Sequence, residues 1–375
     1  MKFLITGDLV VNQPYNASQK IDSQLIDLFT KSDCNIINLE APVTTNQKKI
    51  IKTGPYLKAH RDSTLDVLKT LNIHIAALAN NHIKDYDEQG VLDTIIFCQN
   101  NGIETIGAGK HAEDAAQTKV VQTSEGIVAI INIAENEWAS AEENSAGANG
   151  MCLIKDTKKI QQAKQTYDFV FVIIHGGHEY YNLPSPRMQR QYRFYAEQGA
   201  DLVVGHHTHC INGHEIYKGT PIFYSLGNFL FTKDSPHTDW YTGLVLQVEL
   251  SNKKLTTHLL PIQQSKETFE LRQFDDNQQT LGRIAKYNEI IQDKTKLEKA
   301  WNNYVLTNTN TYCNYWSILS FIKNKKIKGI MKRLKLNYAQ KFGQILFLNL
   351  MRCEAHYDLS REILKNRIKK VGKWD

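Results

Sequence analysis

The chain has 375 residues, 42% of them hydrophobic, and 45 Lys and Arg against 39 Asp and Glu give a formal net charge of +6. That length and apolar content suit one large globular domain or two, and they exclude an intrinsically disordered chain. Six scattered cysteines without a C-x-x-C pair exclude a disulfide framework and a zinc ribbon, and point to free thiols in a reducing compartment.

In chain order, the first expected strand is Lys2–Thr6. Polarity returns at Thr6 to Asp8, too soon for the apolar core of a signal peptide, and no run approaches the ~20 apolar residues of a membrane span, so a cytoplasmic location is expected. Further strands are expected at Asn35–Leu39, His74–Leu78, Ile103–Ile106, Gly126–Asn132, Asp168–Ile174 and Asp201–Val204, several of them apolar enough for burial on both faces. Helical spacing falls between them at Ser23–Lys31, Asp62–Leu71, Glu88–Asn101, Lys155–Thr166 and Arg187–Gln198. This alternation predicts an α/β fold. Pro221–Ser225, Gly243–Leu250 and Leu255–Ile262 read as antiparallel additions, giving a mixed sheet or two packed sheets with helices outside.

Charge then divides the chain. Residues 266–375 hold 22 Lys and Arg against 11 Asp and Glu, a net +11, which leaves residues 1–265 at −5. The shift predicts a boundary near 265, with a basic helical C-terminal region beyond it. Helices are expected there at Thr280–Asp293, Lys294–Leu306, Trp316–Leu336, Tyr338–Cys353 and Asp358–Val371. From Lys323 to Lys335, lysines interleave with Ile327, Ile330, Met331 and Leu334. That stretch suits packing on the α/β unit with wet lysines, or peripheral contact with an anionic membrane or polyanion. With no stacking-aromatic motif, no nucleic acid partner is expected.

The ends of the strands carry the chemistry. Five expected strands finish in Gly7-Asp8, in Glu40, in Asn80-Asn81-His82, in His175 through Glu179, and in His206-His207-Thr208-His209. Ligands sit beyond the carboxyl ends of parallel strands, and clustered His, Asp and Glu are metal or catalytic candidates. Individually each residue could be a cap or a turn former. Their convergence predicts one metal site.

These residues, in this order, resemble the calcineurin-like metallophosphoesterase superfamily, and more narrowly its capsule-synthesis CapA (poly-γ-glutamate synthesis) branch. The resemblance rests on Gly7-Asp8, Asn38-Leu39-Glu40, Ala79 to His82 with Asp85-Tyr86, Gly107-Ala108-Gly109, His175 to Tyr180, Gly199 to His209, and Tyr224 to Phe229. It spans roughly residues 1–262. It implies two packed mixed β-sheets flanked by helices, an αββα sandwich, over residues 1–265. It also implies two divalent ions (Mn, Fe, Zn or Mg). Asp8 would hold the first, Glu40 would bridge both, Asn81 and His175 would hold the second, and His207 and His209 would divide between them. His82 would sit outside the ligand set as proton donor or stabiliser of substrate charge. His178, Glu179, Tyr180, His206, Asn228 and Arg187 are candidates for supporting the ligands or touching substrate. Two departures from the superfamily, Val10 where an Asp-x-His imidazole stands and Glu40 where Asp is usual, agree with the narrower branch; Gly176 stands where the branch tends to have Trp.

The expected function is a dinuclear metal-dependent hydrolase of a phosphoester or a γ-glutamyl-type bond in an anionic capsule polymer. The competing expectation is a non-catalytic, metal-binding assembly component that binds such a polymer or membrane machinery.

Overall fold

Alternation along the first strand decides the layering. Phe3 and Ile5 face one side and Leu4 the other, and all three are buried. A strand buried on both faces must lie between two layers. The computed structural model describes residues 1–274, 277–320 and 337–371.

Its strands are β1 (Lys2–Val10), β2 (Cys34–Leu39), β3 (Ile75–Ala77), β4 (Glu104–Ile106), β5 (Ala108–Gly109), β6 (Lys119–Thr123), β7 (Gly126–Ala134) and β8 (Gly147–Ala148). They continue with β9 (Phe169–His175), β10 (Leu202–His206), β11 (His214–Tyr217), β12 (Thr220–Phe223), β13 (Asn228–Phe231), β14 (Thr242–Ser251), β15 (Lys254–Gln264) and β16 (Leu271–Gln273). One sheet runs β16-β15-β14-β1-β2-β3-β4, with β13 also paired to β1; the other runs β11-β12-β10-β9-β7-β6. Neighbours within β1 to β4, and within the set β7, β9, β10 and β12, are parallel.

Between the sheets lie Phe3, Ile5, Ile36, Val128, Ile130, Phe171, Ile173, Val204, Leu244 and Leu246. The opposite face of the first sheet packs Leu4, Ile37 and Ala76 against Leu25, Phe29, Val67 and Leu68 of helices Ser23–Thr30 and Arg61–Thr70. The opposite face of the second packs Val170, Val172 and Val203 against Ile160, Met188, Tyr192 and Tyr195 of helices Leu153–Thr166 and Pro186–Glu197. Helix, sheet, sheet, helix is therefore the layer order expected from the sequence.

Two strands outrun the glycines that were expected to end them. β1 continues through Gly7 to Val10 by changing partners, leaving antiparallel β14 after Thr6 and taking up β13 from Asp8. A Cβ at Gly7 would collide with the Gly227 carbonyl, so glycine marks a close backbone approach instead of a stop. Gly205 plays the same part inside β10, against the Tyr224 carbonyl. The short strands β6, β11, β13 and β16 were absent from the sequence reading; the last three have only three or four residues, too few for a periodic signal.

Beyond residue 276 the chain is helical at Asn277–Gln292, Lys294–Ser320, Asn337–Arg352 and Glu354–Val371. Ile284 joins the cluster between the sheets, Ile291 and Leu297 join the outer cluster of the second sheet, and Trp301, Val305, Leu350, Leu359 and Ile363 build a core of their own. The basic stretch from Lys323 to Lys335 lies outside the described residues. Among the described residues no helix is long and apolar enough to cross a membrane.

Because Ile284 and Ile291 are buried in the cores of the α/β unit, the C-terminal helices act as structural parts of it. Ile291→Ala should destabilise the protein by about 2–5 kcal/mol, measured by denaturant unfolding. A chain cut after residue 265 should aggregate or melt earlier than the full chain. A 1–265 fragment as stable as the full chain would contradict this packing.

Candidate metal centre

Register decides which side chains meet at the strand ends. Asp8 lies opposite Asn38 and Leu9 opposite Leu39, so Glu40 leaves β2 just past the edge. In the facing sheet Ala134, His175 and His206 stand abreast on β7, β9 and β10. The segment after β3 supplies Asn80, Asn81 and His82. After β10 the backbone takes positive φ at His207 (88°) and His209 (53°). Such conformations are uncommon for residues with a Cβ and persist where the surrounding structure enforces them.

The gathered groups are nearly all buried. Asp8 Oδ1 accepts from Asn38 Nδ2 at 2.6 Å, and its Oδ2 accepts from the His207 backbone N–H at 3.2 Å. His175 Nε2 lies 3.0 Å from both Asn81 Oδ1 and His207 Nδ1. His209 Nδ1 lies 2.9 Å from Asn228 Oδ1 and 3.5 Å from Asp8 Oδ2. Glu40 differs from all of them. It is 0% exposed, and neither carboxylate oxygen has a hydrogen-bond partner.

An unpartnered buried carboxylate is costly, and the site's electrostatics record the cost. Burial, and then the charge of Asp8, push the Glu40 carboxyl well above the usual carboxylate range. For Asp8 burial acts upward, but the His209 hydrogen bond and the nearby imidazoles hold it well below that range. Burial and then His207 push His175 down. His209 is pushed up to about 10: burial opposes its charge, but Glu40 and Asp8 outweigh burial. The site draws positive charge strongly.

Its donors fall into two sets that share one member. Ligand atoms of Asp8, Glu40 and His209 lie within 4.8 Å of one another, and so do those of Glu40, His175 and His207. Asn81 adds a carboxamide oxygen beside the second set. The orphaned Glu40 oxygens and the mixed oxygen and nitrogen donors fit divalent cations of the Mn, Fe, Zn or Mg kind. Val10 is fully buried, paired in register with Phe231, and brings no donor.

Among the supporting candidates, Asn228 orients His209 and donates to the Trp240 carbonyl. Tyr180 stacks on His237, with ring centroids 3.8 Å apart, and Glu179 lines the cavity. The structure does not bring the others to the ligand atoms. His206 Nε2 bonds the Thr6 carbonyl. His178 Nε2 bonds the Ala355 carbonyl and packs on Trp301. Arg187 is held by Glu135 and Asp358, both at 2.5 Å, so it ties the C-terminal helices down instead of offering a free cation.

His82 lines a cavity of about 550 Å³ that also reaches Asn81 and His207. Its Nδ1 is 2.7 Å from Asp85 Oδ2, which also accepts from the Leu57 N–H at 2.7 Å. Lys52, with 2% of its side chain exposed, pairs with Asp85 and stands 3.2 Å from His82 Nδ1. Burial and then Lys52 lower the His82 pKa, partly offset by Asp85. Lys52 was invisible in the sequence, since it lies in a segment without periodicity. The far wall of the cavity comes from Tyr304, Asn308, Tyr312, Asn349 and His356, which sequence reasoning had left in a separate basic region.

Residues 2–233 match the family described as "Bacterial capsule synthesis protein PGA_cap". The PGA biosynthesis protein CapA of Bacillus subtilis is 35% identical over 209 residues, covering 54% of this chain and 54% of that protein. The capsule biosynthesis protein CapA of Bacillus anthracis is 34% identical over 214 residues, covering 53% and 52%. The chain thus spans about half the length of the curated relatives it matches. Among solved structures, a phosphatase of Mycoplasma pneumoniae aligns with a TM-score of 0.46 at 13% identity, over 72% of this chain and 95% of that one, too distant to carry an argument.

Glu40→Ala should remove metal from both donor sets, whereas His82→Ala should leave metal content nearly intact; elemental analysis of the two variants checks this. A carboxyl whose folded pKa is raised destabilises the metal-free fold at pH values above its unfolded pKa, and that penalty fades as pH falls through the folded value. Metal-free Glu40→Gln should therefore melt no lower than metal-free wild type at neutral pH, and added Mn²⁺ should raise the Tm of the wild type only.

Proposed function

The chain belongs to the bacterial capsule synthesis (PGA_cap) family, and from that premise we propose that it is a divalent-metal-dependent hydrolase acting on a phosphoester or γ-glutamyl-type bond of an anionic polymer. The observation that carries this reading is the buried, unpartnered carboxylate of Glu40, common to two donor sets. Asp8, Glu40 and His209 would hold one cation, and Glu40, Asn81, His175 and His207 the other. When bound, such a pair supplies Lewis-acid stabilisation of developing negative charge and lowers the pKa of water.

The chain's own residues do the rest. Asp85 takes the His82 Nδ1 proton in a 2.7 Å hydrogen bond, which fixes the ring and leaves Nε2 for the cavity. Lys52 neutralises Asp85 and keeps the His82 pKa down. An arriving anionic substrate raises that pKa again, so the ring carries a proton on Nε2 when a leaving group needs one. The net +11 of residues 266–375 suits an anionic substrate or an anionic surface.

One observation favours a second reading, a metal-binding component that holds polymer without cleaving it. Val10 gives the Asp8 set no further imidazole, so its cation is held by fewer donors.

Mn²⁺-loaded protein assayed in parallel on bis(p-nitrophenyl) phosphate and γ-glutamyl-p-nitroanilide separates the two. We expect metal-dependent turnover of one substrate, lost in Glu40→Ala and lowered about 10²–10⁴-fold in His82→Ala. Fully loaded protein that cleaves neither yet binds poly-γ-glutamate would establish the second reading.

A further inference from the structure

A second constellation of metal-binding side chains faces the same cavity from the C-terminal helices. Cys353 and His356 are spaced C-x-x-H across the start of helix Glu354–Val371, and residues three apart there share one face. Opposite them, in the segment after β7, is Glu137. One ligand atom from each of Glu137, Cys353 and His356 lies within 4.8 Å of the other two. Three donors around one ion, at ~2.0–2.3 Å from it, stand about 3–4 Å apart.

The arrangement is held from both sides. The Asn136 backbone and side chain donate to Glu354 at 3.0 and 2.8 Å, and the Arg352 guanidinium lies over the Trp138 ring at 5.7 Å, so both neighbours of Glu137 are pinned to the helices. Tyr312 Oη sits 2.9 Å from His356 Nδ1 and steadies the ring. Burial and then the nearby Glu137 and Glu135 charges push the Cys353 thiol upward. A dication would reverse that balance. Independently, Asn349 lies one helical turn before Cys353 and lines the same cavity, and its buried Oδ1 has no hydrogen-bond partner.

We propose that Glu137, Cys353 and His356 form a third metal site, for a thiophilic divalent cation of the zinc class, that fastens the C-terminal helices over the mouth of the cavity. Thiolate, imidazole and carboxylate together favour zinc over manganese or magnesium. The site is separate from the two donor sets around Glu40, but Glu137 Oε1 stands only 3.8 Å from His207 Nε2, so the two share a wall. Three protein ligands leave one tetrahedral position for a further ligand.

Cobalt(II) is the probe, because cobalt bound to thiolate gives an intense near-ultraviolet charge-transfer band that oxygen and nitrogen ligands do not. Full-length protein saturated with Co²⁺ should develop that band with the intensity of one thiolate-bound ion per chain. The band should vanish in Cys353→Ser and persist in Glu40→Gln, in which the capsule-family centre is disabled. Zn²⁺ content should fall by one ion per chain in both Cys353→Ser and His356→Ala. Absence of the band from cobalt-loaded wild type, a measurement that needs no variant, would overturn the proposal. A band that survives Cys353→Ser would also overturn it, since another thiol would then be the ligand. Metal content unchanged by Glu40→Gln, apart from the thiolate-bound ion, would strike the hydrolase reading and leave this one standing.

Discussion

A carboxylate with no hydrogen-bond donor, sealed at the ends of two packed sheets, is the constraint on which the rest of the structure turns. Glu40 is buried beside a second acid, Asp8, and the low dielectric that strengthens their repulsion also magnifies their attraction for positive charge. Everything nearby answers that field. The His loop accepts positive φ at two non-glycine residues to bring His207 and His209 into place. Asn38 donates to Asp8, and Asn228 orients His209. Rigid strands on both sides supply the precision, since Asp8 and His175 belong to parallel ladders whose registers leave them little freedom.

The C-terminal helices extend this logic. They bury Ile284 and Ile291 in the α/β cores, and Asp358 shares the Arg187 guanidinium with Glu135. They also close the cavity opposite His82 with aromatic and carboxamide side chains. The cavity therefore draws its lining from two parts of the chain, and the family match covers the first, residues 2–233.

Much of this was legible in the sequence. Buried strands announce themselves as short apolar runs, and the residue that follows each run faces the common edge; this brought Asp8, Glu40, Asn81, His175, His207 and His209 into view together. The expected strand ends at Thr6 and Val204, each just before a glycine, fell short for a local reason. Glycine there serves the close passage of a neighbouring backbone, which depends on a partner far along the chain. Arg187 stood among the candidates for touching substrate, because its partner Asp358 lies 171 residues away and no local pattern links the two. Lys52 and Glu137 sit in segments without periodicity, where no pattern links a side chain to a site.

The proposed metal pair stands or falls on Glu40 as its shared ligand. Anomalous diffraction from crystals of the full chain grown with Mn²⁺ tests it most directly. Two anomalous peaks flanking the Glu40 carboxylate, one beside Asp8 and His209 and the other beside Asn81, His175 and His207, are the predicted result. A single peak that leaves either Glu40 oxygen unliganded, or no peak there while manganese binds elsewhere, would contradict it.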